Sequence, residues 1–325
     1  MIIITGAAGF IGSALLWALN QRGEKNILLV DNIDDNRKER NISSGTYKEL
    51  LSIEDFHQRL RKGAFTARQI QAILHMGAIS STTETDWQKL QTFNVEYTQD
   101  VIRWCVEHAV RCIYASSGQT YGRGEQGFSD ATSLFDKLKT TTLYGQSKLL
   151  VDIWARDAGY LEQIVGLRYF NVFGPNEQHK KHMRSVIAKQ YDLVKEKGVM
   201  ELFRSYRSDY PDGGQQRDFL YIKDAVAATL FFLDNVAVTG MYNVGTGNAR
   251  SWNEVAGALF ATLHKPPAIT YVEMPEDLKA GYQYFTQADI TALKAAGFTT
   301  PFMPLEEAVA DYVGNYLERD KHLGE

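Results

Sequence analysis

The first twelve residues, Met1-Ile2-Ile3-Ile4-Thr5-Gly6-Ala7-Ala8-Gly9-Phe10-Ile11-Gly12, restrict this chain more than any other stretch. Four apolar residues run into Thr5-Gly6, and Ser13, Ala14, Leu15, Leu16, Ala18 and Leu19 follow with helical spacing. The pattern predicts a buried strand, a tight turn and a helix. A dinucleotide pyrophosphate needs backbone N–H groups at a helix N-terminus, where the dipole favours anions, and glycines let it approach without Cβ clashes. Gly6, Gly9, Phe10, Ile11 and Gly12 are therefore candidate cofactor contacts. Glycine spacing alone also fits a plain turn. A strand before it, a helix after it and an acid closing the next strand make dinucleotide binding the stronger reading.

That next strand is Ile27 to Val30, and it ends in Asp31-Asn32. An acid about 20 residues past the glycine turn accepts the ribose hydroxyls of NAD. The loop that follows carries Arg37, Lys38 and Arg40, three cations where the 2′-phosphate of NADP would lie. A solvated charged loop explains the same residues, and both cofactors stay open at this point. Ile70 to His75 is another strand, with Met76, Gly77 and Ala78 at its end, where small residues let a cofactor pass. The hydroxyls of Ser80, Ser81, Thr82 and Thr83 either meet a ligand or help to start a helix at Thr85 or Asp86. Asn94 to Glu107 has helical periodicity and Arg111 to Ser116 reads as a strand. Strand and helix alternate to about residue 175, which predicts an α/β protein with a doubly wound parallel sheet of the Rossmann type. We expect residues 1–175 to form a dinucleotide-binding domain, to which 219–247 return. Residues 176–218 and 248–325 are expected to form a smaller mixed α/β C-terminal substrate domain.

Composition removes several function classes. The chain has 325 residues, 44% apolar and 23% charged, with a net charge of -4. No basic excess points to nucleic acid, and no apolar run is long enough for a membrane span. Met1 leads straight into a core strand, so we expect no signal peptide and a cytoplasmic protein. Cys105 and Cys112 read as reduced, buried thiols, and no metal site is expected.

Ser116-Ser117 closes one strand, and Tyr144-Gly145-Gln146-Ser147-Lys148 opens a helix. Residues four apart on a helix share a face, so Tyr144 and Lys148 point the same way. A phenol with a pKa of about 10 is a poor base at neutral pH. A neighbouring ammonium and a nicotinamide cation favour its phenolate. A surface tyrosine packed on a lysine stem would show the same spacing.

With these residues in place, the chain resembles the extended short-chain dehydrogenase/reductase family of nucleotide-sugar epimerases and dehydratases. The resemblance spans T-G-A-A-G-F-I-G (5–12), A-S-S-G-Q-T-Y-G (115–122), Y-G-Q-S-K (144–148), R-Y-F-N-V-F-G-P (168–175), R-D-F-L-Y-I-K-D (217–224) and Y-N-V-G-T-G (242–247). It implies Ser117, Tyr144 and Lys148 as catalytic residues. Dehydratases of the family carry Asp-Glu after the matching hydroxyl, where this chain has Gly118-Gln119. Segments 78–84, 174–180 and 281–289 are similar to the members that epimerise an ADP-heptose. That finer likeness implies NADP over NAD, Lys38 as phosphate contact, and Lys180 as a second acid/base group. It also implies cofactor contacts at Asn32, Met76, Gly77, Ala78, Ser80, Asn94, Val172 and Lys180. Substrate contacts are implied at Ser81, Asn171, His182, Lys189, Phe203, Arg217 and Tyr282, and the protein is expected to be a homo-oligomer. Lys189 stands where the resemblance leads one to expect a histidine. The residues alone would make Lys180 an exposed loop lysine beside Lys181.

Two acid/base groups have a physical reason. A carbon without an acidic proton can be inverted by hydride removal and return to the other face, so the sugar must turn and its oxygen meets a different proton donor. Lys180 to Lys197 reads as a helix and Met200 to Phe203 as a strand. Arg204 to Gln216 is a polar insertion, longer than the resemblance leads one to expect, just before Arg217, the implied pyrophosphate contact. Trp252 to Leu263 and Pro304 to Leu317 read as helices that cover the substrate with apolar residues mainly in the core. The alternatives are a nucleotide-sugar 4-epimerase or reductase with the same Ser117, Tyr144 and Lys148, and a dinucleotide-sensing protein without catalysis.

Overall fold

The computed structural model describes residues 1–279 and 281–325. β1 (Ile2–Thr5), α1 (Phe10–Gln21), β2 (Ile27–Val30), α2 (Asn36–Ser43), β3 (Glu49–Leu51), α3 (Ile53–Arg61) and β4 (Ala72–His75) alternate along the N-terminal part. α4 (Trp87–Leu90) and α5 (Tyr97–Glu107) are joined through a π-helical turn over Gln91–Glu96, so Asn94 lies in the wider turn and not in a regular helix. β5 (Arg111–Ser117), α6 (Leu143–Asp157) and β6 (Val165–Tyr169) continue the alternation. Then come β7 (Asn171–Phe173), α7 (Val186–Lys197), β8 (Met200–Phe203), β9 (Gln216–Tyr221), α8 (Ile222–Asp234) and β10 (Gly240–Val244). The chain ends with β11 (Ala249–Ser251), α9 (Trp252–Thr262), β12 (Ile269–Val272), α10 (Glu276–Lys279), α11 (Thr291–Ala295) and α12 (Leu305–Tyr312).

The central sheet has seven strands in the order β10-β6-β5-β4-β1-β2-β3. Every neighbouring pair in it runs parallel, as the alternation of strand and helix requires. Side chains along β1 divide by the two-residue strand period. Ile2 and Ile4 join the apolar cluster that includes Leu15, Leu19 and Ala225, while Ile3 joins the one that includes Phe56, Val101 and Val151. Both faces of the sheet are thus covered by helices, and the fold is a doubly wound α/β sheet. Strand order reverses at β1, whose neighbours are β2 and β4, so the ligand crevice of such a sheet opens beyond the C-terminal ends of β1 and β4. Two small sheets flank it, β11-β9-β7 and β12-β8. Among the described residues no helix is long and apolar enough to cross a membrane.

One helix expectation changes. Lys180 to Lys197 is not one helix, because Lys181 has φ +51° and breaks it; Gln178–Met183 form a short 3-10 segment, and α7 starts afresh with Ser185 as its cap. The helix expected over Pro304 to Leu317 is present, with Pro304 at its N-cap, as α12 running on into a π-helical end over Val313–Leu317.

Candidate active site

The glycine turn forms one wall of the crevice. Gly6 has φ +63°, and a Cβ there would lie 2.6 Å from the Gly77 Cα, so the turn after β1 and the turn after β4 touch backbone to backbone. A Cβ on Gly12 would fall 2.2 Å from the Gly6 carbonyl oxygen, so only glycine lets α1 start this close to the turn. α2, α3, α6, α7 and α9 are capped by the side chains of Asp35, Ser52, Thr142, Ser185 and Ser251, whereas α1 begins at Gly9 with no side-chain cap. Its first N–H groups are left for an anion, and the residues present fit a dinucleotide pyrophosphate. The seam between β1 and β4 is fixed by Thr5 and His75. The Thr5 hydroxyl accepts from Gly77 N at 3.1 Å and lies 2.8 Å from His75 Nδ1, while His75 Nε2 lies 3.0 Å from the Thr98 hydroxyl. Burial and the nearby Lys148 charge lower the His75 pKa to about 3, which keeps the ring neutral.

Asp31 lies at the end of β2 and is nearly buried. One of its oxygens accepts from Ala8 N at 2.9 Å, and the other from Asn32 N at 2.8 Å and from Lys38 Nζ at 3.3 Å. Lys38 also reaches Asp34 at 3.2 Å. The three cations expected together therefore separate. Arg37 is held by Asp35 at 2.6 Å, and Arg40 turns to Glu325 at 2.8 Å and Asp320 at 3.1 Å. Arg40 is three residues past Arg37 on the short helix α2, and the C-terminal acids occupy its charge. Lys38 alone of the three stays beside Asp31.

The second wall is α6. Tyr144 and Lys148 project from one face of it, as their spacing requires, and Asp152 continues that face into the core. Burial raises the Tyr144 pKa, and a hydrogen bond with the Ser117 side chain draws it down. Lys148 is 3% exposed, and its Nζ donates to the Ala115 carbonyl at 2.9 Å. Burial lowers its pKa to about 8, against the opposing charge of Asp152. Asp152 is itself fixed by Arg168 Nε at 2.9 Å, Ser116 Oγ at 2.8 Å and Tyr114 Oη at 3.0 Å. Ser117 Oγ accepts from Gln119 N at 3.1 Å. Asn94 Oδ1 accepts from Ile79 N at 2.7 Å, and Nδ2 donates to the Ile79 carbonyl and to Ser147 Oγ, each at 3.0 Å, so it positions the Ala78 loop against α6. Asp86, not Thr85, caps the following helix, and Ser81 pairs with Thr83 at 3.0 Å.

Lys180 arrives from a loop. Its Nζ lies 5.2 Å from the centre of the Phe10 ring, at the start of α1, so the lysine faces the glycine turn and is not a free surface group. Burial lowers its pKa while the Glu177 charge opposes that. The loop is held by buried polar groups that the sequence reading did not single out. Glu177 is fully buried and accepts from Ser185 N at 2.5 Å, Ser185 Oγ at 2.6 Å and Gly174 N at 3.4 Å. Asn41 Nδ2 donates to the Ala8 carbonyl at 2.9 Å and the Asn176 carbonyl at 3.1 Å, which ties the glycine turn to this loop. Thr82 Oγ1 lies 4.0 Å from Met183 Sδ, so the hydroxyl run after β4 closes on the same segment. His182 and Lys189 are exposed.

The far end of the crevice is aromatic. Arg217, 6% exposed, stacks over Tyr282 at 5.1 Å and Trp252 at 5.8 Å, and among the described residues its only hydrogen bond goes to the Gln216 carbonyl. The Trp252 indole donates to Tyr282 Oη at 3.0 Å, and Phe203 packs edge-on to Tyr282 at 6.5 Å. Trp252 packs against the core, as expected, and its indole also meets Arg217 and Tyr282. No carboxylate among the described residues pairs with Arg217, which suits an anionic ligand. Asn171 is half-buried and accepts from Thr286 Oγ1 at 3.4 Å; Val172 is half-buried beside it on β7.

Residues 2–245 match the profile of the family described as NAD dependent epimerase/dehydratase. The chain is 44% identical, over 99% of its length and 100% of the relative's, to the ADP-L-glycero-D-manno-heptose-6-epimerase of Nitratidesulfovibrio vulgaris. It superposes on the Helicobacter pylori ADP-L-glycero-D-manno-heptose-6-epimerase with a TM-score of 0.79 at 27% identity, covering 97% of this chain and 95% of that one. The structure of MoeE5 in complex with UDP-glucose and NAD gives 0.74 at 25% identity, covering 98% and 99%.

Proposed function

The chain belongs to the NAD dependent epimerase/dehydratase family, and from that premise we propose that it inverts C6 of an ADP-heptose. The reaction interconverts ADP-D-glycero-D-manno-heptose and ADP-L-glycero-D-manno-heptose with NADP bound. The observation that supports this reading is that Lys180, like Tyr144 on α6, is half-buried, with its Nζ 5.2 Å from the centre of the Phe10 ring at the start of α1. When bound, the nicotinamide supplies reversible hydride transfer at the carbinol carbon. Tyr144 handles the hydroxyl proton in one orientation of the sugar and Lys180 in the other. Ser117 hydrogen-bonds the same oxygen, and the Lys148 cation favours the Tyr144 phenolate. Arg217, stacked between Trp252 and Tyr282, takes the diphosphate. Lys38, drawn to Asp31 and Asp34, carries the preference for a 2′-phosphate.

The test is to incubate the protein with ADP-D-glycero-D-manno-heptose and follow the C6 configuration of the product. Conversion to the other epimer without net consumption of added cofactor supports the reading. No conversion, together with turnover of a UDP-hexose, replaces it with the 4-epimerase alternative.

A further inference from the structure

Residues 282–286 run between the Arg217 pocket and the turn behind Ser117, and they grip both. On the Arg217 side, the Tyr282 ring lies 5.1 Å from the guanidinium, and its hydroxyl accepts from the Trp252 indole at 3.0 Å. The backbone pairs with Gln216, the residue before Arg217. Gln216 N donates to the Tyr284 carbonyl at 2.8 Å, and Thr286 N donates to the Gln216 carbonyl at 3.2 Å. The Thr286 hydroxyl accepts from Asp218 N and donates to Asn171 Oδ1, each at 3.4 Å.

On the Ser117 side the contact is made by Gln283, the neighbour of Tyr282 in the chain. Gln283 is 7% exposed, and both ends of its amide are used: Oε1 accepts from Gln119 Nε2 at 3.2 Å, and Nε2 donates to the Gly122 carbonyl. Gln119 and Gly122 are also joined to each other, by Gly122 N on the Gln119 carbonyl at 3.2 Å, which closes the 3-10 turn over Gly118–Tyr121. Ser117 caps that turn, its Oγ accepting from Gln119 N, and the turn packs on α6, which carries Tyr144 and Lys148. One buried, fully bonded amide thus ties the turn behind Ser117 to the segment that lines the Arg217 pocket. A sugar held at its diphosphate presents its reacting carbon a fixed number of bonds away. The span from Arg217 to Ser117 has to hold while the sugar turns, because a misplacement of about 1 Å costs about 10²-fold in rate. We propose that Gln283 is a positioning residue that fixes the distance between the diphosphate pocket and Ser117, an inference that rests on the nucleotide-sugar reading above.

Gln283→Met tests it, because the side chain keeps its length and loses both hydrogen bonds. KM and kcat are measured with ADP-D-glycero-D-manno-heptose, and ADP is titrated calorimetrically into the dinucleotide-loaded protein. kcat should fall about 10²-fold, while KM and ADP affinity stay at their wild-type values, since Arg217, Trp252 and Tyr282 are untouched. Gln119→Ala removes one of the two bonds from a half-buried position. It should lower kcat in the same way but less, and should add little in the Gln283→Met background, because the two side chains act through one contact. If Gln283→Met does not fold, Gln119→Ala decides by the same split between kcat and KM. Wild-type kcat in the folded variants would overturn the proposal and leave the function intact. Weaker ADP binding and a raised KM at unchanged kcat would also overturn it, making Gln283 a support of the Arg217 pocket alone. A wild-type protein that turns over a UDP-hexose and not ADP-heptose would instead remove the heptose reading, and the same comparison made with that UDP-hexose and UDP would then decide the role of Gln283.

Discussion

Lys148 and Lys180 are two lysines dried by burial in one crevice, but the chain delivers them by different means. Lys148 rides on α6, four residues from Tyr144, and Asp152 of the same helix forms a buried pair with Arg168 of β6. Lys180 sits in a single 3-10 turn beside a residue at φ +51°, and its place depends on Glu177, Asn41 and Asn176. A helix carries its own backbone hydrogen bonds, so it sets a side chain from local spacing. A short loop has few such bonds and needs distant polar groups to hold it. The first lysine is therefore placed locally, and the second depends on contacts with segments distant in the chain.

The largest test removes the groups themselves. Tyr144→Phe and Lys180→Met should each lower epimerisation by about 10²–10⁴-fold while dinucleotide stays bound, measured as kcat beside cofactor content. Near wild-type turnover in Lys180→Met would return it to the surface and end the comparison. Breaking the supports should separate stability from activity. Asp152→Ala leaves Arg168 buried without its partner and should cost about 3–5 kcal/mol in denaturant unfolding. Glu177→Gln keeps the shape but loses acceptor capacity. It should cost about 1–3 kcal/mol, with kcat falling more than tenfold because the Lys180 loop loosens. If Glu177→Gln lost stability and kept kcat, the loop would be as locally determined as the helix.

The pH dependence distinguishes the lysines further. The Lys148 pKa is depressed to about 8, so its charge is present below that pH and is lost as pH rises through it. The assistance it gives Tyr144 should fade over the same window, seen as an alkaline limb in kcat that is missing from Lys148→Met. The smallest effect concerns the cofactor. Lys38→Ala should weaken NADP about fivefold to tenfold, the size of one charge-assisted contact, with NAD nearly unchanged in parallel titrations. Equal loss for both would assign Lys38 to holding Asp31.

Much of the fold and half of the site could be read from the sequence, because these parts obey short periods. The glycine turn, the period of two in β1, and the i,i+4 pair on α6 all follow from backbone geometry within one element. What could not be read was long-range. Arg40 looked like a third phosphate-binding cation until the C-terminal Asp320 and Glu325 were found beside it, 280 and 285 residues away. The contacts of the Trp252 indole with Arg217 and Tyr282 likewise join segments that no local spacing relates. The expected helix from Lys180 failed because residue periodicity says nothing of the positive φ at Lys181 that the loop contacts sustain.

By itself, then, the sequence determined that this chain builds a dinucleotide crevice with a tyrosine and a lysine on one helix face, since such features need only neighbours within a few residues. The tertiary structure alone decided that Lys180 faces Phe10, that Lys38 and not Arg40 stays beside Asp31, and that Trp252 and Tyr282 stand by Arg217. Those placements rest on hydrogen bonds, ion pairs and stacking between segments far apart in the chain, whose partners are chosen by packing and not by spacing.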